Sequence, residues 1–132
     1  MSDGGCLCGD VRYRVTGSPR SGLICHCVSC RRAAGAQSVA WLTFPSEVFS
    51  FTSGEPTRYR SSAEVVRTFC GRCGTTLTHQ HDGYLDFIYV TAASLDDPDE
   101  FPPTHHVWIE DGISWDTAND GLPRFERSGS PD

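Results

Sequence analysis

The feature that most constrains this chain is the spacing of its seven cysteines, which fall into three short clusters. Cys6 and Cys8 form a C-x-C pair, Cys70 and Cys73 form a C-x-x-C pair, and residues 25–30 read CHCVSC. Such spacings allow two or more thiolates to reach one ion from a tight turn. The sequence therefore favours a small domain organised around bound metal.

Two of the clusters together offer the ligands of a closed zinc site. Zinc prefers about four ligands in a tetrahedron with Zn–S bonds of ~2.3 Å. Glycines flank both cysteine pairs and allow the backbone to turn tightly around an ion. We therefore predict a structural zinc held by four thiolates, those of Cys6, Cys8, Cys70 and Cys73.

The remaining cluster leaves three ligands, which are Cys25, Cys27 and Cys30. Three protein ligands with one open position are typical of a catalytic zinc site. Zinc at such a site could hold a substrate thiolate or polarise a carbonyl. Because one strong bond is missing, this second zinc is predicted to be labile.

Two other interpretations of the third cluster stay open at this point. Both sites could be structural, with a histidine as fourth ligand to the second. Alternatively, Cys27 and Cys30 could form a redox dithiol, although no thioredoxin-like βαβ pattern surrounds them.

The histidines are the obvious candidates for a further ligand. His26 lies between two cysteines and is expected to point away from the ion or to hydrogen-bond a sulfur. His79 and His81 alternate on a predicted strand, so they share one face, and a solvated hairpin edge is the simplest interpretation. His105 and His106 begin a late strand and point to opposite faces, so at most one can reach the open site.

Other residues have a plain structural interpretation beside a functional one. Three arginines could bind an acidic substrate but are by default surface residues: Arg31, Arg32 and Arg67. The three tryptophans are expected in the core: Trp41, Trp108 and Trp115.

Composition limits the classes of partner. The net charge of −6 argues against nucleic acid, because phosphate contacts need a basic face. No apolar run approaches the ~20 residues of a membrane span. The N-terminal MSDGGCLCGD has neither the basic start nor the apolar core of a signal peptide. A cytoplasmic location, where thiols stay reduced, is therefore expected.

The chain reads as one mainly β domain over residues 1–126, followed by a flexible tail at 127–132. Alternating or β-branched segments predict strands, and Asp111-Gly112 predicts a hairpin turn inside HHVWIEDGISW. A single short helix is predicted over residues 29–35, with Ser29 as N-cap and Gly35 at its end.

Six segments carry a family resemblance when taken in order: GGCLCGDVRY, CHCVSCRRAAG, RTFCGRCGTTL, VTAASLDDP, HHVWIEDGISW and DGLPRF. Together they resemble the glutathione-dependent formaldehyde-activating enzyme family, which also includes centromere protein V. The resemblance spans about residues 4–125. It implies a β-tent zinc fold of small antiparallel sheets, with zinc on the same two cysteine sets.

The resemblance also implies an activity, namely condensation of formaldehyde with the glutathione thiol, a carbon–sulfur lyase reaction in reverse. The expected partner is a small thiol, with glutathione as the family's example. A homodimer is common among small sheet proteins, but no residue argues for one here. The alternative function is a non-catalytic, zinc-stabilised interaction module.

Overall fold

A computed structural model describes residues 1–116 and 119–128. In this part of the chain there are ten strands, one α-helix and several short 3₁₀ turns. The strands are β1 Ser2–Gly5, β2 Arg12–Val15, β3 Ser21–Cys25, β4 Val39–Pro45, β5 Phe49–Ser53, β6 Thr57–Arg60, β7 Val65–Phe69, β8 Thr76–His81, β9 Phe87–Thr91 and β10 His105–Val107. None of the described helices is long and apolar enough to cross a membrane.

The strands form two sheets. The smaller has the order β1-β2-β5 and is antiparallel throughout. The larger has seven strands in the order β10-β3-β4-β9-β8-β7-β6. All its pairs are antiparallel except β10 with β3, which run parallel. The mainly β class predicted from the sequence is confirmed.

The two faces of the large sheet have different coverings. One face packs with the small sheet to form the main core, which includes Tyr13, Leu42 and Val90. On the opposite face, a second apolar cluster gathers Trp41 and Val107 around the cysteines of residues 25–30. Cross-strand partners share a face, so register decides which polar side chains accompany that second cluster.

The helix α1 spans Val28–Ala34 and carries part of the third cysteine cluster. Its N-cap is Cys27, whose sulfur accepts a hydrogen bond from the Cys30 amide at 3.4 Å. Ser29 was predicted as the cap, and that prediction is wrong because a cysteine two residues earlier satisfies the first turn. Gly35 ends the helix in the left-handed conformation at φ 62°, as predicted.

The predicted late hairpin does not form. Trp108 has a left-handed backbone at φ 58°, which ends β10, and Ile109–Asp111 make a 3₁₀ turn. A later segment pairs with β10 in place of the expected second hairpin strand. The His106 amide donates to the Pro123 carbonyl, and the Trp108 amide donates to the Arg127 carbonyl. The Arg127 backbone is therefore hydrogen-bonded, although the tail was predicted to begin there. Residues 129–132 of that tail lie outside the described part.

Candidate metal centre

Two turns bring the first four cysteines together. Cys6 and Cys8 lie between β1 and β2 of the small sheet, and Cys70 and Cys73 lie between β7 and β8 of the large one. The four sulfur atoms lie within 4.8 Å of one another. Two of the separations are 3.6 Å, for Cys6 to Cys8, and 3.7 Å, for Cys8 to Cys70.

These separations fit a tetrahedral metal. A tetrahedron with Zn–S bonds of ~2.3 Å has sulfur–sulfur edges of ~3.8 Å. Backbone amides also point at the sulfurs: Val11 donates to Cys6 at 3.3 Å, and Arg72 and Cys73 donate to Cys70 at 3.4 Å. A hydrogen bond from the Thr75 hydroxyl helps to lower the pKa of Cys73 to about 5. The donor set therefore suits a closed thiolate site.

The second cluster comes from three consecutive pieces of backbone. Cys25 ends β3, Cys27 caps α1, and Cys30 lies in the first turn of that helix. Their sulfurs also lie within 4.8 Å of one another. Within residues 1–116 and 119–128, no histidine, carboxylate or further cysteine joins this group. The three cysteines could hold a metal and leave a position for an exogenous ligand.

Charge in this cluster concentrates on one sulfur. Hydrogen bonds from Cys25, and then from Cys30, lower the pKa of Cys27 to about 2. The same interaction raises the pKa of Cys25, because its proton is held by the Cys27 thiolate. None of the seven cysteines forms a disulfide in this structure.

Arg67 faces this cluster from β7. Its guanidinium nitrogens lie 3.9 Å and 4.0 Å from the Cys30 sulfur, and its Nε donates to the Ser61 hydroxyl at 3.1 Å. The side chain is buried, and no carboxylate of the described residues pairs with it. A buried cation needs an anionic partner, and the nearest group that can carry negative charge is the cysteine cluster. Of the three candidate arginines, Arg67 is therefore the one at the site.

His79 lies directly opposite Arg67 in the β7–β8 ladder. Its ring stacks on Tyr89 of β9 with centroids 4.4 Å apart and meets the edge of Trp41 at the same distance. Burial, and then the nearby Arg67 charge, lower its pKa to about 3, so the imidazole is neutral. The sequence interpretation of a solvated edge is wrong for His79, although it suits His81, which bonds the exposed Glu64.

The other histidines do not join the cysteines. His26 points away, as predicted: its Nε2 hydrogen-bonds His106 Nδ1 at 2.8 Å. His106 in turn bonds Asp120 at 2.8 Å, while His105 bonds Thr104. Neither of these late histidines belongs to the second cluster, so a histidine as its fourth ligand is not supported within the described residues.

The remaining candidates lie as follows. Arg31 and Arg32 lie in the last turn of α1. Trp41 is 1% exposed and belongs to the second apolar cluster, and Trp108 packs against it. Trp115 is 69% exposed, so its predicted place in the core is wrong. The sequence did not predict that Trp41 and His79 lie beside the cysteines, because only strand register brings them there.

Comparison with known proteins agrees with this arrangement. Residues 1–111 match the family described as glutathione-dependent formaldehyde-activating enzyme. A Halomonas elongata protein, provisionally named as such an enzyme, is 27% identical over 87% of this chain and 79% of its own length. A Schizosaccharomyces pombe protein named an uncharacterized lyase is 30% identical over 57% of this chain and 54% of its own.

A solved structure supports the fold alone. The crystal structure of a Rhodobacter sphaeroides protein superposes with a TM-score of 0.63 at 21% identity. The match covers 93% of this chain and 98% of the other.

Proposed function

Since this chain belongs to the glutathione-dependent formaldehyde-activating enzyme family, we propose that it is a zinc-dependent carbon–sulfur lyase acting on a small thiol and an aldehyde. The observation that carries the proposal is the contrast between the two cysteine clusters. One offers four thiolates and the other offers three, with no fourth ligand from the described residues. A closed site suits structure, and an open one suits exchange of ligands.

The proposed assignment gives each cluster one task. Cys6, Cys8, Cys70 and Cys73 hold the structural zinc, while the other three cysteines hold the catalytic one. Zinc on three thiolates carries a formal charge of −1, so it suits a soft sulfur ligand and would favour the thiolate form of a bound thiol. Arg67 offsets the negative charge of the sulfurs and eases the approach of a thiol substrate whose overall charge is negative.

The chain's own groups supply the surroundings of the reaction. The Trp41, Tyr89 and Val107 side chains provide an apolar wall beside the cysteines, which limits water near the reacting carbon. Glutathione and formaldehyde are the substrates that the family name suggests. A reducing cytoplasm would keep the seven thiols available, and a small thiol is the proposed partner.

The test uses two matched cysteine variants and zinc-loaded protein. Cys27→Ser should abolish interconversion of thiol plus aldehyde with their adduct, while the fold and about one zinc per chain remain. Cys70→Ser should instead lower the unfolding temperature and total zinc, because metal binding at that site is coupled to folding. Metal analysis, thermal unfolding and exchange rates measured by proton NMR give the three readouts.

Two outcomes would contradict the proposal. Wild-type turnover by Cys27→Ser would remove the second cluster from the mechanism. A zinc-loaded wild-type protein that is inactive against a panel of thiols and aldehydes would favour the non-catalytic interaction module.

A further inference from the structure

Three buried side-chain nitrogens have no hydrogen-bond partner among the described residues: Arg31 Nε, His79 Nδ1 and Trp41 Nε1. The last two belong to neighbouring rings beside the second cluster. The two rings are in edge contact, with centroids 4.4 Å apart and planes at 87°. A buried polar atom without a partner costs about 1–3 kcal/mol, so its persistence in a well-packed place calls for an explanation.

Both side chains belong to the surroundings of the cysteines. Trp41 packs in one apolar cluster with Cys25 and Cys30. His79 lies near enough to Cys27 for a negative charge on that sulfur to favour the protonated imidazole. It also lies opposite Arg67 in the strand ladder. Stacking on Tyr89, with planes only 5° apart, fixes the imidazole ring. Both unpartnered atoms therefore belong to side chains that surround the second cluster.

The chemistry of the two atoms is complementary. The indole Nε1–H can only donate a hydrogen bond, whereas an imidazole nitrogen can accept or donate a proton. When a carbonyl oxygen becomes a hydroxyl, a hydrogen-bond donor can stabilise the negative charge that develops on the oxygen. A second group must then transfer a proton to that oxygen. Formation of a thiol–aldehyde adduct makes that change at one oxygen.

Resting on the proposed function, we propose that His79 is the catalytic acid–base residue of this site and that Trp41 donates a hydrogen bond to the aldehyde oxygen. In the forward direction the thiol sulfur bonds to the carbonyl carbon, and the carbonyl π pair moves to oxygen. His79 takes the thiol proton and returns a proton to that oxygen. The cleavage direction reverses each transfer, and no oxidant or reductant takes part.

The structure favours His79 over the other histidines for this task. His81 lies two residues along the same strand and bonds the exposed Glu64 carboxylate. His26 and His106 bond each other, and His106 also bonds Asp120. Among the histidines that the described ranges contain, His79 combines a buried unpartnered nitrogen with a place beside the cysteines. Burial lowers the pKa of this ring, so a proton taken from the thiol would pass on to the aldehyde oxygen and not stay on the imidazole.

The experiment compares His79→Gln and His79→Phe with the matched control His81→Gln. The substrates are glutathione and formaldehyde, and the enzyme is loaded with zinc. Loss of a positioned acid–base group should lower kcat about 10²-fold in both His79 variants. His81→Gln should keep kcat within about twofold, because surface substitutions leave the site unchanged. His79→Phe keeps the aromatic stack, so it carries the test if His79→Gln fails to fold.

Three further readouts separate catalysis from a structural role. Calorimetric Kd for glutathione, zinc content and unfolding temperature of His79→Phe should stay close to wild type while kcat falls. Trp41→Phe keeps the ring shape and removes the donor, and it should lower kcat by roughly tenfold, as loss of one hydrogen bond would.

The outcomes distinguish this inference from the function on which it rests. An active wild-type enzyme with an equally active His79→Phe variant overturns the role of His79 alone. Parallel loss of zinc or thiol binding in His79→Phe would also overturn it, since the residue would then be structural. An inactive wild-type enzyme overturns the proposed function and this inference together.

Discussion

Arg67 places one buried positive charge beside the sulfur atoms of the second cluster. Its guanidinium lies 3.9–4.0 Å from the Cys30 sulfur and has Ser61 as its hydroxyl partner. If bound metal holds Cys30 as a thiolate, two unit charges 4 Å apart interact by roughly 4 kcal/mol at an effective dielectric constant of about 20. The cluster and the arginine therefore depend on each other, which nothing in the sequence around residue 67 signals.

Removing this charge should weaken metal binding at one site only. We expect Arg67→Gln to weaken the second zinc by roughly tenfold or more, because thiolates gathered around one ion lose their nearest cation. Arg67→Lys should retain part of the affinity. Competition with a coloured chelator measures both, and Arg58→Gln on the neighbouring strand is the charge-matched, exposed control. Equal affinities in Arg67→Gln and Arg58→Gln would contradict this account.

At the scale of elements, hydrophobic pattern predicted the strands that have an alternating or β-branched sequence. The strand β9, with Ile88 and Val90 inward, is of this kind. Strands β1, β3 and β6 were not predicted: β1 reads SDGG and depends on its pairing with β2, β3 reads SGLIC, and β6 is exposed along its length. Tertiary contacts override weak local propensity in such segments.

The candidate site also has a part that the sequence predicted and a part that it did not. The two groupings of cysteines could be predicted from spacing, because ligand geometry is local to tight turns. The second cluster's neighbours could not, because Arg67, His79 and Trp41 meet through strand register rather than through sequence proximity. The late hairpin failed because Trp108 turns the chain and a distant segment completes the pairing.

The turn between β5 and β6 allows a sharp test of backbone constraint. Gly54 has φ 75°, and a Cβ there would clash with the Asp10 carbonyl oxygen. Gly54→Ala should therefore cost well over the ~1 kcal/mol expected for left-handed strain alone, on the order of 3 kcal/mol. Gly121→Ala is the matched control, since Gly121 has φ 76° and a Cβ there would meet no described atom within 4 Å. Urea unfolding of both variants makes the comparison, and equal losses would refute the steric argument.

On the scale of the whole molecule, the first cluster joins the two sheets. One cysteine pair belongs to the β1–β2 turn and the other to the β7–β8 turn. The second cluster lies on the outer face of the large sheet and connects only β3 with α1. Metal at the first position would hold the domain together, whereas metal at the second could leave with the fold intact.

Stepwise chelation should reveal this difference. We expect about one zinc per chain to leave early and to free three reactive thiols, while about one stays until the fold is lost. Metal analysis, thiol counting and circular dichroism along the same titration provide the measurement. Simultaneous release of both ions, or continued protection of the three thiols after the first release, would instead indicate two equivalent structural sites.

The bridge between the sheets also governs when the chain can begin to fold. Cys8 meets Cys70 across 62 residues, His26 meets His106 across 80, and Ser2 meets Glu100 across 98. The entropy cost of closing such long loops must be met before most native contacts can form. Domains of this kind, rich in β structure, therefore fold slowly compared with helical ones. On the ribosome, Cys6 and Cys8 would wait, exposed, until the β7–β8 turn emerges. Zinc bound early by Cys6 and Cys8 would keep two positions open for Cys70 and Cys73. The zinc concentration during synthesis would therefore determine how long the new chain stays partly folded and prone to aggregation.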